Sequence, residues 1–170
     1  MANLGFKELT RENWLETDEV NKAFVIVDKS GARSFAADDW LAETLAPQLN
    51  LNAPDEIHRL FEVARGALAY GYFFHPLRAL GMEQAYRVAE AALANKCQML
   101  GMPATVTKFH DRIEWMAKNG HLTNIQKQEW HEVREGRNVV SHPQDQLIAH
   151  PDWALMTFKV IADRINTLYP

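Results

Sequence analysis

The sequence predicts an all-α helical bundle, with a small β-hairpin admitted at its N-terminal side. Three observations point there. Apolar residues recur at helical spacing, as in Ile57, Leu60, Phe61, Ala64 and Leu68, which marks one face of a 3.6-residue period. Prolines and glycines punctuate the chain at helix-length intervals: Pro47, Pro54, Pro76, Gly101, Gly120, Pro143 and Pro151. The composition, 47% hydrophobic and 24% charged over 170 residues, suits one globular domain with a single core.

In chain order, Asn13 to Val20 reads as a short helix. Ala23-Phe24-Val25-Ile26-Val27 is apolar and partly β-branched, and Asp28-Lys29-Ser30-Gly31 has turn composition. This stretch reads as a hairpin ending near Phe35 or as a buried helical segment. Asp38 or Asp39 caps a short helix running to about Ala46, stopped by Pro47. Pro54 suits the first turn of the next, with Asp55 and Glu56 near its positive end. That helix is expected to reach about Phe74, because Pro76 disfavours helical backbone at His75.

Glu83 to Leu100 reads as an alanine-rich helix closed by Gly101 and Pro103. Phe109, Ile113, Met116 and Ala117 mark a further one, closed by Asn119-Gly120. Thr123 and Gln126 form a capping-box pattern for a helix that carries Trp130 and Val133 and ends just before Pro143. Pro151-Asp152 opens the last, with Ala154, Leu155, Phe158, Ile161, Ala162, Ile165 and Leu168 on one face.

The formal net charge of −4 excludes a generally basic nucleic-acid-binding surface, so any anion site must be local or built across two chains. The lone cysteine, Cys97, forms no intrachain disulfide, and residues 1–10 lack a signal-peptide pattern. Together these point to a reducing cytoplasm. No apolar stretch approaches the roughly 18 residues that span a membrane.

The strongest chemical signal is Arg134-Glu135-Gly136-Arg137-Asn138-Val139-Val140-Ser141-His142-Pro143. Arginine offers a planar, permanently charged fork to phosphate, and histidine moves protons near neutral pH. Arg137 and His142 would stand roughly 140° apart on an unbroken helix, so they meet only where the helix ends. Pro143 supplies that ending by pushing His142 out of helical backbone. Arg134 shares a face with Arg137. Asn138 is placed to donate to a phosphate oxygen, and Ser141 to cap carbonyls or touch substrate. The bland alternative makes Arg134 a surface residue paired with Asp111, Glu114 or Glu132, and Asn138 and Ser141 ordinary helix-end residues.

This segment resembles the R-x4-6-H motif of the HEPN superfamily, with Arg137 and His142 as its ends and Asn138 as the polar residue that follows the arginine. Residues 71–90 also resemble an earlier helix pair of HEPN-like bacterial proteins. The resemblance covers residues 54–170 and leaves residues 1–50 as an extension packed on a HEPN-like core. It implies a helical bundle with the motif before its last helix. It also implies a metal-independent endoribonuclease, often a toxin or defence effector, with two motifs facing one RNA cleft across a homodimer. There His142 would act as general base on the ribose 2′-OH or general acid on the 5′-oxygen. Arg137, helped by Asn138, would stabilise the phosphorane charge. HEPN proteins that have lost activity serve as scaffolds, so the other expectation is a non-catalytic module that binds a protein, such as an antitoxin-like partner.

Other clusters read more plainly. Glu83, Arg87 and Glu90 form an exposed ion-pair ladder, or else Glu83 or Glu90 reaches across the bundle to orient Arg137 or His142. His110 and Glu114, at i and i+4 beside Asp111, could give a metal two ligands, but no third stands out; no metal and no cofactor is assigned. Tyr70, Tyr72, Phe73, Phe74 and His75 form an aromatic cluster that is mostly core, with at least one member left for a second interface or a nucleotide-sized pocket.

Overall fold

The computed structural model describes residues 6–29, 31–141 and 149–170. Among these, the elements are α1 (Glu19–Lys22), β1 (Val25–Asp28), β2 (Gly31–Ser34), α2 (Ala37–Leu45), α3 (Asp55–Tyr70), α4 (Pro76–Met99), α5 (Phe109–Lys118), α6 (Asn124–Val140) and α7 (Pro151–Leu168). The fold is helical with a small N-terminal hairpin, as the periodicity and turn residues predict.

The first segment departs from expectation. Residues 11–15 form turns rather than a helix. Asn13 accepts from the Thr10 amide at 2.9 Å, and the Thr10 hydroxyl accepts from Asn13 at 3.3 Å. These side chains close a local turn in competition with the helical ladder. The helix starts only at Glu19, where the Asp18 carboxylate takes the Val20 amide at 3.0 Å. The hairpin then pairs Val25 with Ser34 and Asp28 with Gly31 in antiparallel register. Ser30 of its expected turn lies outside the described residues, and Gly31 takes a φ of 119° that favours glycine. Asp39 does not cap α2 from the N-cap position. It sits in the first turn, accepts from Ala36 at 2.9 Å and grips Arg33 through two bonds of 2.6 and 2.7 Å.

The larger correction concerns α3 and α4. Helix α3 stops at Tyr70 rather than Phe74, and α4 begins at Pro76 rather than Glu83. Proline fits the first turn of α4 because that turn has no use for its missing N–H. Gly71 and Gly81 let the two helices meet. A Cβ on Gly71 would come within 2.7 Å of Arg78 Cγ, and one on Gly81 within 3.0 Å of the Leu68 backbone. Side chains from the N-terminal region then add donors to the carbonyls at the end of α3 and in the turn after it. Trp40 Nε1 donates to Leu68 and Ala69 at 2.9 and 3.1 Å, and Asn21 Nδ2 to Tyr72 at 2.6 Å.

Helix α4 packs against α3, α5, α6 and α7. Its alanines make this possible: Ala85, Ala89 and Ala92 are fully buried and let neighbouring helices come close. On the α3–α7 side, Phe61 and Phe158 stack with centroids 4.4 Å apart, an arrangement worth about 0.5–1.5 kcal/mol beyond the area it buries. The Arg65 guanidinium covers both rings and donates to the Thr44 and Pro47 carbonyls at 2.9 and 2.8 Å. Trp40 and Leu49 belong to the same buried cluster as Ile165 and Tyr169, so the first 50 residues help to build the core. Helices α5, α6 and α7 follow their sequence signals. The Thr123–Gln126 capping box forms with bonds of 2.9 and 3.2 Å. No helix among the described residues is long and apolar enough to cross a membrane.

Candidate functional site

Helix α6 carries the arginine motif to its C-terminal turn. The helix ends at Val140, with Ser141 as C-cap, its amide donating to the Arg137 carbonyl at 3.1 Å. Gly136 is needed inside this helix for packing. A Cβ there would meet Tyr86 of α4 at the hydroxyl and, at 2.7 Å, at Cζ. The bare backbone at Gly136 thus lets α6 lie close to α4, which sets where Arg137 emerges.

Arg137 is half-buried and forms an ion pair with Glu90 of α4 at 3.4 Å. The cross-bundle alternative for Glu90 is the arrangement found, while Glu83 turns instead to Arg87 at 2.6 Å. Arg134 pairs with its neighbour Glu135 at 3.3 Å rather than with Asp111, Glu114 or Glu132. The Nε atoms of Arg134 and Arg137 have no hydrogen-bond partner among the described residues. Asn138 and Ser141 are exposed on the same terminal stretch. His142 lies outside the described residues. The structure therefore brings Arg134, Arg137, Asn138 and Ser141 to one helix end and adds Glu90.

Two features of this end oppose each other. A helix C-terminus carries partial negative charge and favours a cation such as Arg137. The same field repels phosphate, so attraction for an anion must come from the guanidinium groups themselves. Glu90 competes for that role, but a half-exposed pair of this kind is worth only about 0–1 kcal/mol.

A second polar constellation went unread in the sequence. Asp18, Asn21, His75 and Arg78 are all buried where the N-terminal segment meets the α3–α4 turn. Asp18 accepts from the His75 amide at 3.0 Å and sits 3.1 Å from His75 Nδ1. Burial pushes its carboxyl up, yet the amides of His75 and Val20 and the His75 ring outweigh burial and hold it below the usual range. Arg78 donates to Asn21 Oδ1, donates to the Ala149 carbonyl at 3.3 Å and lies 5.2 Å from the Trp40 ring centre. Burial pushes its pKa down to about 10, against the pull of Asp18. These side chains come from residues far apart in the chain, so no local spacing reveals them. Ala149 lies just before α7, so this bond also links Arg78 to the start of that helix.

The remaining candidates resolve simply. Burial pushes the Cys97 thiol up to about 11, which keeps it protonated and unreactive. In the aromatic cluster, Tyr72 is core and donates to the Phe35 carbonyl at 3.0 Å, while Tyr70 is 59% exposed. Phe74 meets Phe6 edge-on at 5.6 Å. Ala37, Trp40, Leu41, Tyr70, Tyr72 and Phe73 line a cavity of about 360 Å³ there. The two-ligand spacing of His110 and Glu114 does gain a third donor, His131 of α6. No family model, curated protein or solved structure matches the chain.

Proposed function

We propose that this chain acts on RNA through a HEPN-like composite site around Arg137 and His142, as a metal-independent endoribonuclease or, with the same surface, an RNA-binding protein. The observation that supports the reading is the placement of Arg137 in the last turn of α6, beside exposed Asn138 and Ser141 and, among the described residues, ion-paired with Glu90. A phosphate offering a bidentate, charge-assisted contact competes well with that weak pair. Arg137 and Arg134 take the phosphate, and Asn138 donates to a non-bridging oxygen. His142 exchanges protons with the 2′-OH or the leaving 5′-oxygen. A homodimer in the cytoplasm would bring two such helix ends together, doubling the local positive charge that the acidic chain lacks. A role as toxin or defence effector fits that activity.

The test is RNA cleavage in excess EDTA by the wild type, Arg137→Ala and His142→Ala. Cleavage by the wild type alone, leaving 2′,3′-cyclic phosphate ends, is the expected result. Equal cleavage by all three, or none, transfers the weight to a second reading.

That second reading is a non-catalytic module for a protein partner such as an antitoxin. It draws on a groove of about 190 Å³ beside α6 and α7, lined by Val133, Trp153, Met156 and Val160 with Glu129 and Arg164 at its edge. Met156 is 62% exposed and adds apolar surface to that groove.

A further inference from the structure

Helices α5 and α6 bring together three side chains with metal-binding atoms. His110 and Glu114 stand one turn apart on α5, and His131 faces them from α6. Their ligand atoms all lie within 4.8 Å of one another. Glu114 Oε1 is 3.0 Å from His131 Nε2, and the two imidazole rings are 5.3 Å apart at a tilt of 40°. We propose that His110, Glu114 and His131 bind one divalent first-row transition cation of the zinc type, with a fourth coordination position left open to water.

The donor set selects the class of ion. Two imidazole nitrogens and a carboxylate suit zinc and its borderline neighbours, whereas magnesium and calcium prefer all-oxygen surroundings. The outer contacts of His110 and Glu114 also fit. Asp111 Oδ1 lies 3.1 Å from His110 Nδ1, which leaves Nε2 of that ring as the available donor. A carboxylate behind a ligating imidazole is a common means of fixing its tautomer and orientation. Lys127 donates to Glu114 Oε2 at 2.8 Å, which leaves Oε1 turned towards His131. His131 is largely covered, and its Nδ1 has no partner among the described residues.

Donors around a tetrahedral zinc stand about 3.3 Å apart, given Zn–N distances near 2.0–2.1 Å. Separations of up to 4.8 Å must therefore contract by as much as about 1.5 Å. His110 can supply this by rotation, since its side chain is 52% exposed. Three protein ligands with an open fourth position is the pattern of sites that present a bound water to other molecules. Along α6, His131 and Arg137 are about 9 Å apart in rise and roughly 120° apart around the axis, so the cation and Arg137 occupy different faces, with Arg134 between them.

The test uses the untagged chain, stripped with EDTA and then titrated with zinc chloride against a chromophoric chelator. One equivalent is expected to bind at micromolar affinity or tighter. His110→Gln and His131→Gln are each expected to weaken it by at least about 100-fold, since loss of a ligand should exceed the 10–100-fold effect of losing an outer-shell partner. His58→Gln, on α3, should leave it unchanged. Cobalt in place of zinc should give intense visible bands, as a four-coordinate site does, absent in both ligand variants. If His131→Gln fails to fold by circular dichroism, exposed His110→Gln carries the test. The proposal is overturned if wild type and His110→Gln bind zinc equally, or if His58→Gln loses as much. Failure here is separable from failure of the RNA reading, which requires cleavage to survive EDTA.

Discussion

The buried junction of Asp18, Asn21, His75 and Arg78 and the arginine motif at the end of α6 use nearly the same residue types: an arginine, an acid, an amide and a histidine. Their surroundings separate them. Arg78 has no exposed surface and gives two of its nitrogens to Asn21 and Ala149, with Nε left without a partner among the described residues, whereas Arg137 remains 40% exposed in its side chain and pairs with Glu90. Inside the protein an unpaired polar group is costly, so every member of the junction is committed to holding the chain together. At the helix end water competes for each contact, and the same groups stay available for exchange with a ligand. Residue type alone does not distinguish a structural network from a binding site; burial does.

The comparison breaks most visibly at Arg78. Arg78→Met leaves the Asn21 side-chain oxygen and the Ala149 carbonyl without a donor and removes the guanidinium that faces Asp18. Loss of about 3 kcal/mol is expected, the scale of breaking a buried charged contact. Urea denaturation should show it as a lower midpoint with unchanged slope. A loss below about 0.5 kcal/mol, the range of ordinary surface substitutions, would mean that the junction is not a committed network.

Gly136→Ala tests the step that places the site. The new methyl meets the Tyr86 ring, and overpacking of this kind costs about 1–3 kcal/mol. The control is Gly66→Ala on α3, where a Cβ would meet nothing within 4 Å. There the gain in helix propensity is expected to stabilise by up to about 1 kcal/mol. Two glycine-to-alanine changes in helix interiors, opposite in sign by thermal melting, would confirm that close approach rather than backbone freedom explains Gly136.

A smaller effect is expected in acid. The Asp18 carboxyl titrates lower in the fold than in the unfolded chain. Its contribution is therefore complete above the unfolded value of about 4 and fades as pH falls through the lower folded value. The stability of the wild type should drop over that window, and Asp18→Asn should flatten the drop while lowering stability at neutral pH. An unchanged profile in the variant would remove Asp18 from the network.

Much of this architecture is legible in the sequence because its signals are local. The Thr123–Gln126 box, Pro151 and the α7 face each lie within a few residues, and each forms where expected. The boundary between α3 and α4 is not legible in the sequence because Pro76 passes for the stop of α3, whereas it opens α4. His75 and His131 were passed over because their partners, Asp18 and Glu114, are 57 and 17 residues away. Arg137 was legible as a motif residue and Glu90 as one candidate to reach it, while Asp18 and Asn21 carried no signal at all.

The smallest effect on stability, and the most discriminating for function, is expected at Glu90. An ion pair as exposed as Glu90–Arg137 contributes little to folding, so Glu90→Gln should change stability by no more than about 0.5 kcal/mol. Its effect on RNA has a sign that depends on what Glu90 does. If the carboxylate only occupies Arg137 in the absence of ligand, removing its charge frees the guanidinium and lessens repulsion of phosphate. Affinity for a short single-stranded RNA then rises severalfold at low salt, and the gain shrinks as ionic strength screens the charge. If Glu90 instead holds Arg137 in the orientation that contacts phosphate, affinity falls, although a negative charge has been removed. Fluorescence anisotropy at two salt concentrations separates these outcomes. A binding constant unchanged at both salts would place the RNA away from the end of α6 and count against the site built on Arg137.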